Sequence, residues 1–89
     1  MECVYLIDAQ YEEDYKVFLK FNTGESGKVD LEEMVHKYKA AKPIRNKGDF
    51  SDFYLDSWPT LAWKCGFDIS PEFLYFMVTG KSLIEHEVA

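Results

Sequence analysis

Leu61-Ala62-Trp63-Lys64-Cys65-Gly66-Phe67-Asp68-Ile69-Ser70-Pro71-Glu72-Phe73-Leu74-Tyr75-Phe76-Met77-Val78-Thr79 reads as a short apolar strand, a turn and a helix, in that order. The strand centres on Trp63 and Gly66 supplies the turn. Ser70, Pro71 and Glu72 make the clearest helix start in the chain, each for its own reason. Ser70 accepts from an orphan amide, Pro71 has a preset φ and no amide to leave unpaired, and the Glu72 carboxylate meets the positive end of the helix dipole. Ile69 before the cap and Leu74 four residues after it are spaced as a hydrophobic staple, which fixes the angle at which the chain runs into the helix. Gly80 closes it.

Working outward, Tyr15, Val17, Leu19 and Phe21 alternate with Lys16, Phe18 and Lys20, the period-two pattern of a strand with one buried face. Asn22-Thr23-Gly24-Glu25 predicts a tight hairpin, a type I turn followed by Gly24 in the left-handed region, with Ser26 to Val29 returning. Gly27 inside the returning strand weakens it and reads as the mark of a bulge. Residues 3–9 form an unbroken apolar run suited to a strand covered on both faces, and residues 10–14 read as a connection. Asp30 and Glu33 have capping-box spacing ahead of a stripe of Leu31, Met34, Val35 and Tyr38, so a helix starts at Asp30 and frays by Ala41, ahead of Pro43. Residues 46–53 read as a loop with one helical turn, 53–56 as a strand, and Ser57-Trp58-Pro59-Thr60 as a link into the Trp63 strand. The expected class is α+β: a small, mostly antiparallel sheet of four to five strands with two helices packed on it. Residues 1–80 form the single domain and 81–89 a C-terminal tail.

The size and composition agree with this. A chain of 89 residues makes one domain that buries roughly 60 to 65% of its unfolded surface. Seven Phe, six Tyr and two Trp mean that large side chains carry the core. Cys3 and Cys65 stand far apart with no second pair near either, so no zinc knuckle or CxxC motif can be drawn, and two reduced thiols in a cytoplasmic protein are expected. No apolar run approaches membrane-spanning length, and the first residues carry no secretory signal. Net charge is -6, which argues against indiscriminate binding to nucleic acid or anionic lipid. The charge is uneven, because residues 34–48 hold five basic and no acidic side chains, leaving -11 on the remainder.

No constellation in the sequence points to catalysis or to a cofactor. His36 and His86 lack partners at metal-ligand spacing, and nothing along the chain brings a base to the Cys65 thiol. Neither a metal nor a cofactor is expected. The candidates for contact with a partner are Trp58, an aromatic beside a proline in a turn, and the basic residues Lys37, Lys39, Lys42, Arg45 and Lys47. Each has a plain alternative: Trp58 as a lid on the core, and the cations as a solvated helix end.

Three pieces taken together carry a resemblance: the hairpin from Tyr15 to Val29 with Phe21-Asn22-Thr23-Gly24-Glu25, the Val29-Asp30-Leu31 helix start, and the closing run from Trp63 to Tyr75. In order and spacing the chain resembles the small bacterial family of unknown function numbered 2442 (DUF2442). The family's Trp-Pro-Asn-Gly turn is Trp63-Lys64-Cys65-Gly66 here, so two of its four positions differ while the turn glycine remains. The resemblance implies an α+β fold with no established activity. It also implies frequent neighbourhood with a second small protein, in the arrangement of a toxin and antitoxin pair. Some members carry a helix-turn-helix domain after this one. The short stretch past the second helix leaves no room for it, so sequence-specific nucleic-acid binding is not expected.

The function expected is therefore a non-enzymatic protein-interaction module, the antitoxin-like or regulatory partner of another small bacterial protein, with a homodimer as a further option. The alternative is an acidic inhibitor that mimics nucleic acid on a nucleic-acid-binding partner, through Glu12, Glu13, Asp14, Asp30, Glu32 and Glu33.

Overall fold

Val17, Leu19 and Phe21 have no exposed surface, while Lys20 between them is exposed, so the alternation in the sequence is the alternation of strand β2 (Lys16–Phe21). A computed structural model describes residues 4–57 and 59–80. The hairpin forms as the turn residues predict: Phe21 N–H donates to the Glu25 carbonyl at 2.9 Å and Gly24 N–H to the Phe21 carbonyl at 3.0 Å. Gly24 has φ +95°, a value that suits glycine alone among the turn residues. Strand β3 (Ser26–Asp30) returns antiparallel with Val29 opposite Val17 and Gly27 opposite Leu19.

Strand β1 (Leu6–Glu13) pairs with the other side of β2, giving the sheet order β1-β2-β3. This corrects two expectations. The strand continues through Glu13, where a connection was expected, because Gln10 and Glu12 fit an outward-facing row. It is also an edge strand with an open side, Ile7 being 52% exposed, where cover on both faces was expected. Register shifts at Leu6/Asp8 and Tyr11/Glu13 kink it. Asp14, at φ +48°, makes the turn into β2, a conformation that Asp tolerates better than most residues.

The expected single sheet of four to five strands is divided. Five strands form among the described residues, three in the first sheet and two, β4 (Tyr54–Leu55) and β5 (Leu61–Ala62), in a separate antiparallel pair. The reason lies in the backbone of the Trp63 segment. Ile69 N–H donates to the Leu61 carbonyl and Trp63 N–H to the Phe67 carbonyl, while β4 takes the opposite side. Its hydrogen-bonding capacity is therefore filled locally and none is left for the larger sheet.

The helices also depart from the expected two. Helix α1 (Glu32–Lys37) stops at Tyr38, a 3-10 helix covers Lys39–Ile44, α2 spans Lys47–Phe50 and α3 spans Pro71–Thr79. Pro43 sits inside the 3-10 segment, where it lacks an amide to donate and would crowd the carbonyl four residues back in an α-helix. Asp30 accepts from Glu32 N–H at 3.0 Å, but Leu31 holds the N-cap position, so the cap acts one residue upstream of the expected place. In α3 the start is as read: Ser70 Oγ accepts from Phe73 N–H at 3.2 Å, Pro71 opens the helix, and Gly80 N–H donates to the Phe76 carbonyl. Ile69 and Leu74 are both buried.

The inner faces meet in one core around Trp63, whose indole N–H donates to the Phe50 carbonyl at 2.7 Å. Helix α3 lies across β3. A Cβ at Gly27 would come within 2.8 Å of Val78 Cγ1, so this glycine marks close approach of a helix to a strand, and the bulge expected there does not occur. Tyr75 in α3 is buried against the hairpin, its hydroxyl donating to Glu25 and its ring edge-on to Phe21 at 5.4 Å.

Two outcomes follow. Gly27→Ala should destabilise the protein by about 1–3 kcal/mol in urea denaturation through overpacking against Val78, and adding Val78→Ala should recover part of that loss. The hydrogen bond from Tyr75 to Glu25, then burial, then the Glu25 charge hold the Tyr75 phenol above its ordinary 10.0. A raised pKa in the folded state means that the stability it contributes is intact below about pH 10 and is lost as pH rises through the folded value. Urea midpoints should therefore fall on the alkaline side of pH 10, and Tyr75→Phe should flatten that fall.

Candidate functional site

Arg45 is half-buried and engaged by the backbone. Its Nε donates to the Val35 carbonyl at 2.9 Å and its Nη2 to the carbonyls of His36 and Tyr38, so the guanidinium closes the C-terminal end of α1. The Tyr15 hydroxyl donates in turn to the Arg45 carbonyl, which fixes the backbone at that point. Lys47 is engaged as well, 2.9 Å from Asp14. That hydrogen bond, backed by the opposite charge, holds Lys47 above and Asp14 below their usual ranges. Lys37 lies 5.6 Å over the Tyr38 ring. Lys39 and Lys42 are exposed one 3-10 turn apart, hence on one side of that helix.

Lys47 and Pro59 lie at opposite ends of β1. Lys47 is tied to the turn after β1, whereas Pro59 accepts from Leu6 N–H at the start of β1. Eight strand residues, roughly 25 Å, separate those two ends. Trp58 itself lies outside the described residues, as does the 81–89 tail.

Half of the acidic residues are paired with lysines. Glu12 meets Lys28 at 3.5 Å, Glu13 meets Lys16 at 3.6 Å and Asp14 meets Lys47. An open groove of about 530 Å³ is lined by the remaining carboxylates Asp30, Glu32 and Glu33, with His36. His36 Nδ1 is 2.8 Å from the Glu32 carbonyl oxygen and its ring stands edge-on to Tyr15. Cys65 belongs to a different cleft, of about 190 Å³, with its Sγ 3.9 Å from the Ala40 carbonyl. Thiol and imidazole therefore do not meet. Among the described residues no group of three His, Cys, Asp or Glu is placed to hold a metal ion.

Large apolar side chains on the exterior are the feature that sequence reasoning passed over. The first set is Tyr5 just before β1, Ile7 on β1, and Tyr54 and Leu55 on β4, the strand in contact with it; all four are exposed, Tyr54 and Leu55 on opposite faces of their strand. The second lies between α1 and α3, a groove of about 300 Å³ lined by Met34, Tyr38, Phe67, Asp68, Ile69, Ser70 and Phe73. A signal for the second was present in the sequence. Leu74, Tyr75 and Val78 share the face of α3 that meets the core, which turns Phe73 and Phe76 away from it by helical spacing alone. No such signal marked the first group, since residues 53–56 have no amphipathic pattern. Chemically, both surfaces can act by burying aromatic and aliphatic area against another molecule, with tyrosine hydroxyls left to find partners at the rim.

Comparison with curated proteins finds no match. Among solved structures the fold is similar to that of NE0471 from Nitrosomonas europaea ATCC 19718, described as a "putative DNA binding protein", with a TM-score of 0.75 and 19% sequence identity. The match takes in 88% of this chain and 50% of that one, so this chain spans half the length of its structural relative. At that identity the likeness is one of fold. Residues 6–80 match the sequence profile described as "Protein of unknown function (DUF2442)", and the chain belongs to that family.

Proposed function

We propose that this chain is a non-enzymatic protein-interaction module, the antitoxin-like or regulatory partner of another small bacterial protein, acting in the cytoplasm. The observation that carries the reading is the exposure of Tyr5, Ile7, Tyr54 and Leu55 at or next to β1 and β4, two strands in contact. Aromatic and branched aliphatic side chains exposed on neighbouring strands are the material of binding hot spots. Next to Tyr5 and Ile7, Leu6 N–H donates to the Pro59 carbonyl at 3.0 Å. Among the described residues no helix is long and apolar enough to cross a membrane.

A second reading draws on the groove of Asp30, Glu32 and Glu33, an acidic surface that would imitate phosphates on a nucleic-acid-binding partner. It loses half of its carboxylates to the lysines that pair with Glu12, Glu13 and Asp14. The DNA-binding description of the structural relative offers this chain little, since the two share half of that protein's length.

The test is capture from a lysate of the source organism with the whole chain as bait, followed by titration of the purified partner. A small protein should be retained by the wild type, with roughly tenfold or greater weakening for Tyr54→Lys or Ile7→Lys and little change in affinity with salt. Equal capture by the variants would remove the apolar surface from the account. A steep fall with salt, together with loss on Glu32→Lys, would favour the acidic reading instead.

A further inference from the structure

Backbone N–H and C=O groups point alternately to the two sides of a strand. Phe21 N–H donates to the Glu25 carbonyl and Leu31 N–H to the Tyr15 carbonyl, so Val17, Leu19 and Phe21 turn their backbone groups to β3. Lys16, Phe18 and Lys20 turn theirs to β1, where their partners are Glu13, Gln10 and Asp8. The groups of Ala9 and Tyr11 therefore point away from β2, and among the described residues no strand lies beyond them. On that same side Leu6 N–H is already taken, by the Pro59 carbonyl at 3.0 Å. What remains open is a slot formed by the donors and acceptors of Ala9 and Tyr11.

The edge is not blunted along its middle. β1 contains neither proline nor lysine. Its two register shifts lie at Leu6/Asp8 and Tyr11/Glu13, the ends of the slot, and Asp8 to Tyr11 stay in unbroken register with β2 between them. Bulges so placed limit an added strand to about four or five residues. An extended peptide presents donors and acceptors at the matching spacing, so the chemistry of the slot names the backbone of its occupant.

Side chains decide which extended peptide. Asp8, Gln10 and Glu12 form the row on the outer face of the sheet, where Glu12 meets Lys28. Ala9 and Tyr11 stand opposite the buried Leu19 and Val17 on the core side, with Tyr11 38% exposed. A strand laid alongside extends both rows, with apolar side chains beside Ala9 and Tyr11 and cations beside Asp8 and Glu12. A second copy of β1 fits badly. The antiparallel register that bonds Ala9 of each copy to Tyr11 of the other sets Asp8 opposite Glu12 twice, and like charges facing across a ladder are destabilising. A net charge of -6 on each molecule adds to that.

We propose that an extended basic segment of another protein, lysine or arginine alternating with apolar residues, adds to β1 as a fourth strand of the sheet. This rests on the reading of the chain as an interaction module and says how the module takes hold. Main-chain bonds to Ala9 and Tyr11 supply affinity, and the two rows of side chains supply the choice of partner.

The test is NMR on the full chain with a synthetic peptide of alternating lysine and valine, following amide exchange and chemical shifts. The peptide should slow exchange at Ala9 and Tyr11 about tenfold or more, and the same peptide with glutamate in place of lysine should not. Ala9→Pro removes an outward N–H and no bond to β2, so it should melt like the wild type and bind the peptide about tenfold more weakly. Methylating the backbone nitrogens of the lysine peptide should abolish binding with the protein untouched. Unchanged exchange at Ala9 and Tyr11, or equal binding of the methylated or the glutamate peptide, overturns the proposal. So does a wild type that dimerises with those two amides protected, which would give the edge to a second copy. Tyr54→Lys, which tests the apolar surface, should leave peptide binding as it was. Peptide binding with no protein captured from lysate would therefore keep the edge and remove the role proposed above, while capture with no protection at Ala9 and Tyr11 would do the opposite.

Discussion

The indole N–H of Trp63 is the constraint around which the second half of the chain is arranged. A buried ring of that size must find an acceptor for its single donor inside the core, and it takes the carbonyl of Phe50. That requires the chain to be turning at Phe50, which α2 provides: Asn46 caps it by accepting from Asp49 N–H, and its four residues deliver both the carbonyl and the Phe50 ring. Phe50, Phe53 and Phe67 then close on the indole at centroid distances of 5.6, 6.2 and 5.7 Å. Phe50 passes the contact on to Tyr15, at the start of the hairpin. One side chain thus couples the small β4-β5 pair, α2 and the larger sheet, three pieces that share few backbone hydrogen bonds.

A core built from rings in so short a chain leaves others outside. The sheet has one inner face and α3 one inner stripe, and once Phe21, Phe50, Trp63 and Tyr75 are seated, Tyr38, Tyr54, Phe73 and Phe76 have no interior left to enter. Their exposure is a consequence of composition, while the position of each is a property of the fold. The exposed charges mostly neutralise one another on the outer side of the sheet, through the pairs of Lys16 and Lys28 with Glu13 and Glu12. Such exposed pairs add little to stability, but they leave that side with no strong field. The apolar groups are thereby the more distinctive parts of the surface.

The local features were legible from the sequence because single residues determine them. Gly24 made the hairpin turn readable, Ser70 and Pro71 the start of α3, and the alternation from Tyr15 to Phe21 the central strand. Features that depend on residues far apart were not legible. Nothing near Gly27 announces Val78, so its reason for being glycine could only be guessed wrongly. Arg45 looked like one more cation in a basic run, and its true place became visible only once the end of α1 was seen to fold back beneath its guanidinium. The division of the sheet was hidden for a similar reason: residues 61–63 have the composition of a central strand, and only the return of Phe67 and Ile69 beside them shows that their hydrogen bonds are already taken. Of the candidate cations, Arg45 and Lys47 are engaged by the chain itself, while the apolar faces depended on knowing which side of each element turned inward.

The junction of Gly27 and Glu25 with Val78 and Tyr75 also governs how the molecule comes into being. Glu25 and Tyr75 are 50 residues apart, so the hairpin is covered only through a contact of long sequence separation. Until that contact forms, the part of its inner face that α3 covers is open. A chain without α3 is an open half-shell, so closing the fold waits on a segment 50 residues downstream of the strand pair it covers.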